Sequence, residues 1–201
     1  MNTYGATMFI QTEDTPNPET LKFLPGKDVL GAGVPAREFE KGADVSSAPL
    51  AEMLFMIPGV ARVFFGADFV SVTKASEKDW KHLKPALLGA IMDFYVAGGD
   101  VLSGMSGAAP DDDDPEFTYE GETAEIVEQI KEIIELRVRP AVAQDGGDIV
   151  FKRYIEGDGV VYLEMRGACA GCPSSTLTLK SGIENLLKHY VPEVTRVEQA
   201  V

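Results

Sequence analysis

The sequence is poor in the residues on which most protein chemistry relies. Its 201 residues include two cysteines, two histidines and one tryptophan, and 18 lysines and arginines stand against 32 aspartates and glutamates. Each shortage excludes something. Two cysteines cannot build the disulfide framework of a small secreted protein, and a C-x-x-C pair in such a chain reads as metal or redox work in a reducing compartment. His82 and His189 belong to no ligand-spaced cluster, so a Cys/His catalytic pair is excluded and both read as structural or surface residues. A formal charge of −14 argues against nucleic acid or an anionic membrane as the partner. No stretch approaches the roughly 18 apolar residues that span a bilayer. Met1-Asn2-Thr3-Tyr4-Gly5 carries neither a secretory signal nor the arginines of a mitochondrial presequence. These absences lead to the expectation of a cytoplasmic protein.

What is present divides the chain. Apolar residues make up 45% and charged residues 25%, a soluble globular balance with length for one large or two small domains. The fold class expected is α+β: two small α+β domains joined by an acidic linker rich in Gly, Ser and Asp. Residues 1–97 read as the first domain, with strands over Thr7–Thr12 and Thr20–Leu24, a short helix from Pro49 to Met56, and a hairpin of Val60–Phe65 with Phe69–Thr73. Ser76 is positioned to cap a helix whose Trp80, Leu83, Leu87, Leu88, Ile91, Phe94 and Tyr95 recur at three- and four-residue spacing, a stripe that reads as core rather than as an aromatic cofactor site. Residues 98–121 read as a flexible linker, since the run Asp111 to Asp114 cannot bury surface and lacks the spaced geometry of a tight oxygen site.

Residues 122–201 read as the second domain, in the order α-β-β-α-β. After Thr123 a helix places Ile126, Ile130, Ile133 and Ile134 on one face. Asp145-Gly146-Gly147-Asp148 turns into the strand Ile149–Ile155, and Glu156-Gly157-Asp158-Gly159 turns into Val160–Met165. A helix follows from Ser174 to about Tyr190, its inner face Leu179, Ile183, Leu186, Leu187 and Tyr190, and Val194–Val197 returns as an edge strand.

Both cysteines sit in Arg166-Gly167-Ala168-Cys169-Ala170-Gly171-Cys172-Pro173-Ser174-Ser175. Thiols at this spacing turn toward one point, as metal ligation or a reversible disulfide requires. The small flanking residues let the backbone pass close to whatever the sulfurs hold, with its N–H groups free to point at it. Pro173 suits a first helical position, which places Cys172 at a helix N-terminus that favours thiolate. Three chemistries remain open on these residues: a metal or metal cluster, including zinc held by two such pairs across a dimer; a dithiol exchanger with Cys169 attacking and Cys172 resolving; and two structural cysteines, which the Gly, Ala and Pro flanks disfavour. Arg166 and Lys180 either balance a cluster's charge or are solvated surface charges. Ser174, Ser175 and Thr176 either face the sulfurs or cap the helix, and Asp145 and Asp148 either face the cysteine loop or, as the turn chemistry favours, serve the turn into the strand.

The stretch from Arg137 to Val194 resembles the C-terminal domain of the NifU-like (Nfu-type) iron–sulfur cluster scaffold and carrier proteins. The resemblance is carried by Arg139-Pro140-Ala141-Val142, Asp145 to Ile149, Gly167 to Thr176, Leu179-Lys180, Gly182-Ile183-Glu184 and His189 to Val194. Gln11 to Pro18 and Leu21 to Gly26 resemble the N-terminal domain of the family's longer members. A [4Fe–4S] cluster needs about four thiolates, so either two chains each contribute Cys169 and Cys172, or a smaller cluster such as [2Fe–2S] completes its shell from outside. The resemblance implies the first: a [4Fe–4S] cluster bridging a homodimer, received from upstream assembly proteins and delivered to apo iron–sulfur enzymes. Such ligand exchange needs no side chain as acid, base or nucleophile, so the expectation is a protein that is not an enzyme.

Overall fold

The computed structural model of the chain describes residues 9–103, 117–171 and 173–200. The chain divides into two compact units, Met1–Gly107 and Ala108–Val201, each α+β. The expected linker's aspartates, Asp111 to Asp114, lie outside the described residues, as do Thr7 and Met8 of the expected first strand. Ordered packing reaches past residue 97: Val101 is buried in the first core, and the Ser103 N–H donates to the Ser47 carbonyl at 2.9 Å.

The first unit is an antiparallel sheet in the order β1-β2-β5-β4-β3. Its strands are β1 (Gln11–Asp14), β2 (Thr20–Leu24), β3 (Arg37–Glu40), β4 (Val60–Phe65) and β5 (Val70–Lys74), joined by helices α1 (Pro49–Phe55) and α2 (Trp80–Val96). The apolar stripe on α2 does what its spacing requires: Leu83, Leu87, Ile91 and Phe94 are buried, in one core with Phe23, Val63, Phe65 and Val72. The cap differs from expectation. Lys78 N–H closes a turn onto the Ala75 carbonyl, which delays the helix, and the Asp79 carboxylate then accepts from Lys81 N–H at 3.0 Å. The edge strand β3 is also new, because Arg-Glu-Phe-Glu offers a single apolar side chain, Phe39, set edge-on to Phe65 at 5.4 Å.

The second unit follows the expected α-β-β-α-β order with its first helix in three parts. These are α3 (Gly121–Ile133), a π-turn (Ile134–Val138) and α4 (Arg139–Gln144); β6 (Gly147–Ile155), β7 (Val160–Gly167), α5 (Pro173–Tyr190) and β8 (Arg196–Gln199) complete it. Pro140 explains the break. It has no N–H for the Leu136 carbonyl, four residues back, and the ladder widens there, with Arg139 N–H donating to the Ile134 carbonyl five residues back. The wider turn keeps Ile130, Ile134, Val138 and Val142, each four apart, in one buried line; a regular helix would carry them off the face at ~40° per step. β6 pairs antiparallel with β7, and β8 runs parallel on the other side of β7. Helix α5 buries Ile183 and Leu187 against Ile149, Val161 and Leu163, at ~1.5–3 kcal/mol for each side chain so enclosed. Tyr190, expected on the inner face, turns outward beneath the Arg137 guanidinium at 4.7 Å.

Candidate metal centre

The cysteine loop is the connection between β7 and α5. Gly167 (φ 63°) and Gly171 (φ 85°) adopt left-handed backbone, a conformation that favours glycine, and so reverse the chain twice within five residues. The intervening N–H groups are already engaged: Ala168 donates to the Gly146 carbonyl (3.1 Å), Cys169 to Arg166 (3.3 Å) and Ala170 to Gly167 (3.2 Å). These three donors fold the turn; Cys172, the other sulfur they were expected to face, is outside the described residues. The Thr176 hydroxyl donates to the Cys169 carbonyl at 3.2 Å and ties the loop to the first turn of α5.

Cys169 is 6% exposed, and its sulfur rests against the backbone of Gly147. A Cβ at Gly147 would lie 2.5 Å from the Cys169 Sγ, 2.8 Å from the Arg166 carbonyl oxygen and 2.9 Å from the Cys169 nitrogen. Cys172 lies outside the described residues; in sequence it directly precedes the start of α5 at Pro173. The side chains of Ser174 and Ser175 are likewise outside the description.

The charges near the loop are paired among themselves. Arg166 holds Glu164 through Nε at 2.7 Å and Nη2 at 3.2 Å, and Lys152 reaches the same carboxylate at 3.0 Å. Burial pushes the Glu164 carboxyl up, but the hydrogen bonds and charges of Arg166 and Lys152 outweigh it and hold it below the usual carboxylate range. Lys180 pairs with Glu198 at 2.5 Å across α5 and β8. Arg166 and Lys180 thus each reach a carboxylate of the chain, where the sequence left open a cluster's charge or solvent. Asp145 is exposed at the end of α4. Asp148 is no simple turn residue: its buried carboxylate takes two hydrogen bonds from Arg139, Nε to Oδ1 and Nη2 to Oδ2, both 2.8 Å. The third Arg139 nitrogen, Nη1, donates to Glu135 at 2.7 Å. The pairing with Asp148, against burial, pushes the guanidinium pKa further up. His82 and His189 are both exposed.

Two features escaped the sequence reading. The Gly146-Gly147 doublet at a strand start signalled a close approach as well as a turn. The Arg139–Asp148 pair gave no local signal, because it spans a helix, a turn and a strand. Among the described residues no three His, Cys, Asp or Glu side chains gather as a metal group. A groove of about 530 Å³ lined by Glu128, Lys131, Glu135, Arg139 and Phe151 contains no cysteine-loop residue. No helix of the described residues is long and apolar enough to cross a membrane.

Two family models match: "Scaffold protein Nfu/NifU N terminal" over residues 10–98 and "NifU-like domain" over residues 130–198. The Drosophila sechellia protein named NFU1 iron-sulfur cluster scaffold homolog, mitochondrial, is 49% identical over 193 residues, 96% of this chain and 65% of its own length. NifU-like protein 5, mitochondrial, of Arabidopsis thaliana is 48% identical over 96% of this chain and 68% of its own length. The solution structure of a NifU-like protein from Saccharomyces cerevisiae matches 52% of this chain and 92% of that one, at 27% identity and a TM-score of 0.47. This chain thus spans just under two thirds of the fly relative's length. The mitochondrial names overturn the cytoplasmic expectation. That expectation leaned on the make-up of residues 1–5, which carries no weight in a chain shorter than its relatives.

Proposed function

We propose, from the premise that this chain belongs to the Nfu/NifU family of iron–sulfur cluster scaffolds, that it binds a cluster through Cys169 and Cys172 and passes it to apo iron–sulfur proteins. The observation that carries the reading is the seat of Cys169. A thiol is held by a tight backbone turn beside a glycine that has no room for a side chain, and a second thiol lies three residues on. Thiolates are the ligands iron–sulfur clusters take, and four suffice for [4Fe–4S]. With two per chain, the cluster is a [4Fe–4S] centre shared by two copies.

The residues divide the work. The turn fixes the Cys169 backbone, Thr176 anchors the loop to α5, and the start of α5 favours the thiolate of the preceding cysteine. A cluster shared at a loop can be reached by an acceptor's thiols and exchanged ligand by ligand. No acid, base or nucleophile takes part, and the protein is no enzyme in this scheme. The cargo comes from upstream assembly proteins, the first unit docks the partners, and the relatives' names support the mitochondrion as the compartment.

Anaerobic reconstitution with iron and sulfide tests the reading, with metal and sulfide counted per chain after size exclusion. The expected product is a brown dimer with about two irons and two sulfides per chain, confirmed as [4Fe–4S] by Mössbauer spectra and lost in Cys169→Ala and Cys172→Ala. A colourless protein that retains zinc, or that only cycles between dithiol and disulfide, would overturn it.

A further inference from the structure

We infer that the ion pair between Arg139 and Asp148 positions the Cys169 thiol, making these two residues part of the cluster site although neither touches the sulfur. The inference rests on the reading of Cys169 as a cluster ligand and extends it to residues outside the C-x-x-C loop.

Three consecutive residues at the turn into β6 each carry one side of the cysteine turn. The Gly146 carbonyl accepts the Ala168 N–H, Gly147 is the floor against which Sγ rests, and Asp148 stands opposite Arg166 in the ladder with β7. Arg166 in turn accepts the Cys169 N–H through its carbonyl. Moving β6 by a few tenths of an ångström against the loop therefore moves the floor beneath the thiol. Arg139 holds that strand. Its guanidinium forks onto both oxygens of Asp148, whose side chain is 7% exposed, and reaches Glu135 with its remaining nitrogen, joining the π-turn, α4 and β6 at one group.

The chemistry of the pair favours geometry over stability. A buried ion pair gains little over packed apolar side chains of equal volume, because desolvation offsets attraction. A planar guanidinium on a carboxylate fixes direction as well as distance. The charges nearer the cysteines in sequence, Arg166 and Lys180, are engaged by Glu164 and Glu198. The Arg139–Asp148 pair is the one whose carboxylate directly adjoins the residue under the sulfur.

The experiment compares the full chain with Asp148→Asn, Arg139→Met and Arg139→Lys, and with Glu184→Ala, which cuts a tie between α5 and β8 away from the loop. Two signals are read: the rate of Cys169 alkylation by iodoacetamide, followed by peptide mass spectrometry, and the visible circular dichroism of the reconstituted cluster. Asp148→Asn and Arg139→Met are expected to raise alkylation about tenfold through easier local opening and to alter the dichroism. Arg139→Lys, which keeps the charge without the fork, should restore part of both, and Glu184→Ala should leave both as in the unaltered chain. Alkylation and dichroism unchanged in the pair variants, or altered equally by Glu184→Ala, would overturn the inference. If Asp148→Asn does not fold, Arg139→Lys decides on the same signals. An unaltered chain that takes up no cluster would sink the functional reading, while alkylation would still decide the positioning.

Discussion

A sulfur atom occupies the space that a side chain at residue 147 would need, and that one steric fact makes a sharp comparison between two glycines. Gly147 has a thiol and two backbone atoms within 3 Å of where its Cβ would sit, whereas the space around Gly182, exposed in the middle of α5, is open. Gly147→Ala should destabilise the chain by ~1–3 kcal/mol, the cost of overpacking where backbone cannot yield. Gly182→Ala should stabilise it by ~0.5–1 kcal/mol by restricting the unfolded chain and favouring the helix. Urea denaturation of the two variants checks the opposite signs. A second prediction concerns Glu164. Its folded carboxyl titrates below the ordinary value of 4.5, so the folded state binds fewer protons than the unfolded one as pH falls. The stability from this group is fully present above about pH 4.5 and is lost as the pH drops through the lower folded value. Glu164→Gln should therefore flatten the acid limb of the urea midpoint plotted against pH. The cysteines stand out in the sequence by their spacing and flanks, and the fold seats Cys169 in a tight turn. The glycine floor was not legible, because nothing local in Gly146-Gly147 names which side chain will approach it.

At the scale of elements, the first helix of the second unit shows how a local rule becomes visible only in the fold. The sequence pattern placed Ile126, Ile130, Ile133 and Ile134 on one face of a single helix. Pro140 contained the correction, since an interior proline must disturb the carbonyl four residues before it, and the π-turn falls at that carbonyl, Leu136. The turn leaves Ile134 3% exposed and Leu136 66% exposed, two positions apart. Ile134→Ala should cost ~2–5 kcal/mol, as a large core side chain does; Leu136→Ala should stay within about 0.5 kcal/mol. Equal losses in thermal or urea unfolding would mean that Leu136 is packed as Ile134 is, against their opposite exposures. Strands β4 to β7 and helices α1, α2 and α5 were legible because their periodicity is strong. Strand β3 was not, because an edge strand with one apolar residue has no period to read.

For the whole molecule, the two units hold separate cores, and both cysteines belong to the second. Under the proposed function cargo binding and partner choice are separable, provided the cut respects the packing. A cut at residue 97 would leave Val101, a buried residue of the first core, on the wrong fragment, so the informative fragment begins at residue 108. That fragment should melt cooperatively and take up the same iron and sulfide per chain as the full chain, since no residue of the first unit is asked to ligate. If the first unit docks partners as proposed, the fragment should transfer its cluster to a natural acceptor more slowly while its ligands stay intact. The transfer rate, followed by the change in visible dichroism as the acceptor fills, separates the alternatives. A fragment that transfers as fast as the full chain would remove partner docking from the first unit, and a fragment that folds but binds no cluster would place part of the site outside residues 108–201.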